Sequence, residues 1–187
     1  MSNKGKIFIL SAPAGTGKTT LVTRLIAEVP HTIQSISYTS RKPRENEING
    51  KDYFFVTEKE FEEKVRRGDF LEYVRLYDTY YGTDKRWVEK QVDAGISVFL
   101  VIDTQGALKL KGRISATYIF VKPPSLEELK RRITLRETES QEMIEKRLKW
   151  ATKELECSSE YDHVIVNDEL DQAYSDLKKI VVDAIES

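Results

Sequence analysis

The stretch from Ser11 to Thr20, Ser-Ala-Pro-Ala-Gly-Thr-Gly-Lys-Thr-Thr, follows directly on the apolar run Ile7 to Leu10 and leads into the helical pattern of Leu21 to Val29. An unbroken apolar run of this length reads as a strand buried on both faces, as in the middle of a parallel sheet. Val98 to Ile102, Tyr118 to Val121 and Val164 to Val166 have the same character. Helical patterns lie between them, and Leu170, Ala173, Tyr174, Leu177, Ile180, Val181 and Ala184 give the closing stretch one apolar face. Strands alternating with helices predict an α/β fold with a central parallel sheet flanked by helices. Ligands are then expected at the carboxyl ends of the strands.

The chain has 187 residues, which points to one domain with a buried core of its own. Cys157 is the sole cysteine, so disulfide scaffolds and four-cysteine zinc sites are excluded, and the cytoplasm is the expected compartment. A formal charge of −1 argues against a polybasic surface for nucleic acid or membrane. No apolar run approaches the ~20 residues that cross a bilayer.

Two insertions interrupt the alternation. The first, residues 37–87, is rich in tyrosine and reads as a small mixed sheet, with strands at Tyr53 to Val56 and Phe70 to Val74 and a helix from Glu58 to Arg67. The second, residues 125–157, follows Pro123 and Pro124. Ser125 and Glu128 suggest a capping box for a helix to about Leu135, and a second helix is expected from Gln141 to Glu156. The core then comprises residues 1–36, 88–124 and 158–187.

The glycine-containing loop has the composition of a phosphate cradle. Gly15 and Gly17 let backbone N–H groups turn toward phosphate oxygens, the following helix adds positive potential, and Lys18 reaches the transferring group. Thr19 is the candidate Mg²⁺ ligand. Ala12 stands where the G-x-x-x-x-G-K-[ST] pattern begins with glycine, which requires that residue to keep a negative φ. In Ser37 to Arg44, Pro43 forbids regular helix and leaves Arg41 and Arg44 on an irregular segment. Paired guanidinium forks suit a phosphate, and Tyr53 and Tyr81 could add hydroxyl donors, although a solvated basic loop has the same composition.

Arg41-Lys42-Pro43-Arg44, Glu47-Ile48-Asn49-Gly50-Lys51-Asp52-Tyr53 and Tyr80-Tyr81-Gly82-Thr83 follow in an order and spacing that resembles the guanylate kinases. The likeness continues through Ile102-Asp103-Thr104-Gln105-Gly106, Pro123-Pro124-Ser125, Glu145-Lys146-Arg147-Leu148 and Val166-Asn167-Asp168. The resemblance implies a P-loop kinase core, a GMP-binding insertion over 37–87 and a helical lid over 125–157. It implies ATP and Mg²⁺ as co-substrate and cofactor, and GMP, with dGMP, as acceptor.

By the same resemblance Ala12, Pro13, Ala14, Gly15, Thr16, Gly17, Lys18, Thr19 and Thr20 would hold ATP, with Asn167 against its adenine. Arg41, Arg44, Tyr53 and Tyr81 match the residues that hold the GMP phosphate; Ser37, Glu72, Thr83 and Asp103 match those that read guanine. Glu72 would accept from the N1–H and the exocyclic amine, and Ser37 and Thr83 would donate to O6. Lys18, Arg41, Arg132, Arg136 and Arg147 would stabilise the transferring phosphoryl group, while Arg131 faces solvent. Departures from the family pattern are Ala12, Val101 in place of an acidic residue, and Glu137 in place of a glycine after the lid arginine. A catalytically silent binding module of the same fold is the alternative, and its mark would be loss of the phosphate loop, which is intact here.

Overall fold

The computed structural model describes residues 4–76, 78–134 and 141–187. In chain order the first elements are β1 (Ile7–Ser11), α1 (Lys18–Glu28), β2 (Thr32–Gln34), β3 (Tyr38–Thr39), β4 (Phe54–Phe55), α2 (Glu58–Arg67), β5 (Phe70–Leu76) and β6 (Thr79–Asp84). They continue as α3 (Lys85–Asp93), β7 (Ser97–Val101), α4 (Thr104–Leu110), β8 (Thr117–Lys122), α5 (Leu126–Thr134), α6 (Gln141–Glu156), β9 (His163–Val166) and α7 (Leu170–Glu186).

The large sheet runs β2-β7-β1-β8-β9, with every pairing parallel, as the sequence predicts. Alternate residues of β1 go to opposite faces, and both faces are buried. Phe8 and Leu10 pack with Leu21, Leu25, Tyr174 and Leu177 from α1 and α7, while Ile9 packs with Val88, Ala107 and Leu110 from α3 and α4. Each such fully buried side chain contributes about 1.5–3 kcal/mol of transfer free energy. At the sheet's two edges the structure differs from expectation. β2 is too short and too mixed in polarity to stand out in the sequence. In β9 only Ile165 is buried, in the cluster shared with α1 and α7, while Val164 and Val166 point to the opposite face and are 45% and 44% exposed.

The first insertion is a second sheet of order β4-β3-β6-β5. β3 and β6 were not expected as strands, since one covers two residues and the other is a tyrosine-rich motif without alternation. α2 spans the predicted residues and begins with a complete capping box between Thr57 and Glu60. It buries Phe61 against the rings of Phe70 and Tyr80, at 4.4 and 5.0 Å. In the second insertion α5 and α6 share an apolar cluster of Leu129, Ile133, Ile144 and Ala151. The Ser125 box is only half formed. Ser125 Oγ accepts from the Glu128 N–H at 3.0 Å, but the Glu128 carboxylate turns to Arg131 and Arg132. Charge-assisted bonds to two guanidinium groups outweigh one to a neutral backbone N–H. The predicted end of this helix at Leu135 lies outside the described residues.

Candidate active site

The loop after β1 turns through Gly15 and Gly17 at φ of 89° and 84°. Ala12 lies outside the left-handed region, so the alanine is accommodated without strain. Thr16 is fully buried and locks the turn by donating its hydroxyl to the Pro13 carbonyl at 2.8 Å. Lys18 Nζ donates to the Ala12 carbonyl at 3.0 Å, which draws the ammonium across the loop's mouth. Ala14 is half-buried, and Thr19 and Thr20 are exposed on the first turn of α1. Asn167, only 4% exposed at the end of β9, donates from Nδ2 to the Thr16 carbonyl at 2.7 Å. The bond ties the end of β9 to the glycine-containing loop.

Beside this loop is a cavity of about 470 Å³. Its walls bring together Lys18, Ser37, Arg41, Arg44, Tyr53, Glu72, Tyr81, Asp103 and Arg147. Thr83, Arg132 and Asn167 are not among its lining residues. Thr83 is fully buried and donates its hydroxyl to Glu72 Oε1 at 2.7 Å, so it orients the carboxylate on the wall where guanine is expected. The cause is an irregularity in the β5 and β6 ladder. The register shifts between Phe70 and Glu72, which sets Glu72 directly opposite Thr83. Without the shift Glu72 would face Gly82. Burial pushes the Glu72 carboxyl up to about 7; the Thr83 bond and the Lys109 charge oppose that rise, and the Asp103 charge adds to it.

Asp103 Oδ1 caps α4 by accepting from the Gln105 N–H at 2.8 Å. Its carboxyl also meets Glu154 of α6, which is 6% exposed and lines the same cavity. Burial first, and then the Asp103 charge, hold the Glu154 carboxyl above the usual carboxylate range against the pull of Lys18. Glu154 and Trp150 were missed in the sequence. With Arg147 they fall at i, i+3 and i+7 of α6, a single face, and that spacing is the signal that could have found them.

Arg41 is held by a fork-to-fork pair with Glu47, Nη1 to Oε2 at 2.9 Å and Nη2 to Oε1 at 2.8 Å. Glu47 also accepts from the Arg44 N–H at 2.8 Å, and the Arg41 guanidinium keeps its carboxyl below the ordinary range. Tyr53 and Tyr81 meet edge to face, ring centroids 6.0 Å apart, with the Arg41 guanidinium 5.4 Å from the Tyr53 ring. Arg132 donates from Nε to Glu128 at 2.7 Å and from Nη1 to the Asn167 carbonyl at 3.0 Å, so one asparagine links α5 to the phosphate loop. Arg131 is 63% exposed and pairs with Glu128, as expected of a solvated position. Arg136 and Glu137 lie outside the described residues. Val101 offers the cavity no carboxylate. Among the described residues no group of three or more His, Cys, Asp or Glu could hold a metal ion.

The arrangement places the glycine-containing loop with its lysine next to a second group of arginines and tyrosines. A buried carboxylate completes the far wall. A family model described as Guanylate kinase matches residues 4–184. A guanylate kinase of Protochlamydia amoebophila is 60% identical over 179 residues, covering 96% of this chain and 91% of that protein. One from Wolbachia sp. subsp. Brugia malayi is 43% identical over 183 residues, covering 97% of this chain and 94% of that protein. The crystal structure of guanylate kinase from Anaplasma phagocytophilum superposes with a TM-score of 0.82 at 32% identity, covering 100% of this chain and 89% of that one.

Proposed function

The chain belongs to the guanylate kinase family, and from that premise we infer how its own residues carry out ATP-dependent phosphorylation of GMP to GDP. The observation that carries the reading is the one cavity into which both Lys18 and the Arg41, Glu72 and Asp103 walls open. ATP places its phosphates on the N–H groups of Ala14 to Thr20, with Lys18 at the transferring group. Residues 37–87 hold GMP. Arg41, Arg44, Tyr53 and Tyr81 take its phosphate, and Glu72 accepts from the N1–H and the exocyclic amine of guanine while Ser37 donates to O6.

Adenine carries an acceptor at N1 and would leave Glu72 facing a lone pair. A site built on such hydrogen bonds can reject the wrong substrate by roughly 10⁴ to 10⁵. None of these contacts uses the ribose 2′-hydroxyl, so dGMP is also an acceptor. Residues 125–157 act as the lid, and Arg132, Arg136 and Arg147 bring positive charge to the phosphates, excluding water as a competing acceptor. In-line transfer requires positioning and charge neutralisation more than covalent help.

The protein's donors fit Mg²⁺ arriving with ATP. The exposed Thr19 hydroxyl lies beside Lys18 and would take the ion, and because Val101 supplies no carboxylate the remaining coordination would fall to phosphate oxygens and waters. Magnesium, when bound, neutralises charge on the transferring group. The lone Cys157 and a chain in which no described helix could cross a membrane suit a cytoplasmic enzyme.

The test is ADP release with ATP and Mg²⁺, offering GMP, dGMP, AMP, UMP and CMP separately at equal concentration. Turnover is expected with GMP and dGMP alone. Comparable turnover with AMP would refute the assignment of Glu72, Ser37 and Asp103 to base reading.

A further inference from the structure

Gly106 is the third residue of α4, where glycine is less favourable than alanine. Its φ is not positive, so the backbone does not require glycine there. Space does. A Cβ on Gly106 would lie 2.5 Å from Glu72 Oε2 and 3.2 Å from Glu72 Cδ. The carboxylate has no easy retreat, because Thr83 holds Oε1 at 2.7 Å and the residue is 6% exposed.

One turn further along α4, Lys109 Nζ donates to the Tyr73 carbonyl at 2.6 Å. α4 therefore grips β5 at consecutive residues, Glu72 and Tyr73, and it also carries Asp103 as its N-cap. The same short helix fixes both carboxylates of the cavity's far wall relative to one another.

We propose that Gly106 is a specificity-determining positioning residue: its missing side chain is the seat that lets the Glu72 carboxylate stand in register to read the guanine edge. The inference rests on the reading of Glu72 as the guanine acceptor. It adds that this acceptor's placement is set by a residue that touches no substrate.

The experiment is a double-mutant cycle of G106A and E72A, reading KM for GMP, KM for ATP, kcat and thermal midpoint. G106A is expected to raise KM for GMP by about tenfold or more while KM for ATP stays within about twofold, the pattern of one misplaced charged hydrogen-bond acceptor. In the E72A background the added methyl has room, and its effect on KM for GMP is expected to fall below about twofold. A G106A enzyme with unchanged KM for GMP, or an equal penalty in both backgrounds, overturns the proposal. Should G106A fail to fold while E72A/G106A folds, the clash is with Glu72 and the seat is supported; failure of both means the methyl strikes something else, and the proposal falls. E72A alone separates this from the underlying reading. An unchanged KM for GMP in E72A refutes the guanine assignment itself, whereas a raised KM there with a silent G106A refutes only the role of Gly106.

Discussion

Replacing Glu72 with glutamine should make the free protein more stable and the enzyme worse, and the two effects can be measured independently. Burial raises the Glu72 carboxyl from 4.5 to about 7 in the folded protein. In the unfolded chain the same group ionises near 4.5, so as pH rises from about 4.5 to 7 the unfolded state releases the proton first and stability is lost. The gap corresponds to about 3 kcal/mol at pH 8 and to under about 1 kcal/mol at pH 5. Glu72→Gln removes this term and keeps an oxygen for the Thr83 hydroxyl, although the amide's own donors take back part of the gain. For a chain of this size the gain amounts to roughly 5–10 °C in melting temperature at pH 8, nearly vanishing at pH 5. Thermal melts of both proteins without nucleotide read it directly. KM for GMP should rise roughly 10- to 100-fold, the loss of a charged acceptor facing two donors. The wild-type KM should climb about tenfold between pH 8 and pH 6 as the carboxylate is protonated, over and above any trend in the variant, which shares the substrate's own phosphate titration. A melting difference that is the same at both pH values would refute the reasoning, since it would mean that the carboxyl ionises normally in the folded protein.

Asn167→Ala leaves the Thr16 carbonyl without its partner and should cost about 1–3 kcal/mol of stability while raising KM for ATP more than KM for GMP; a selective loss of GMP would overturn the bracing role. Glu47→Ala releases the Arg41 fork and the Arg44 backbone, and is expected to raise KM for GMP about five- to tenfold with little change for ATP, as steady-state kinetics in both substrates would show. Arg132→Lys keeps the charge but cannot span Glu128 and the Asn167 carbonyl together, so kcat should fall about tenfold or more in a single-turnover assay, and full activity would show that charge alone suffices.

The features legible in the sequence are those whose cause is local. The phosphate loop is contiguous from Ser11 to Thr20, and its glycines fall where the backbone adopts positive φ. The central strands announce themselves because burial on both faces demands unbroken apolar runs, and α2 and α6 span the residues their patterns predict. Lys18 and Arg41 are proposed from residue type and spacing, and Glu72 from the family resemblance. What those side chains touch was decided elsewhere. Thr83 faces Glu72 only because the β5 and β6 register slips between Phe70 and Glu72, and the bond of Asn167 to Thr16 joins residues 151 positions apart. Glu154 reaches Asp103 because α6 lays one face on the cavity, and the glycine at 106 acquires its meaning when β5 packs on α4. Propensity and composition act over a few neighbouring residues, whereas register, burial of a charge and the closeness of two backbones exist only once distant segments have packed. The chain thus determines by itself which chemical groups are available, and the tertiary fold decides which of them face the substrate and which hold the others in place.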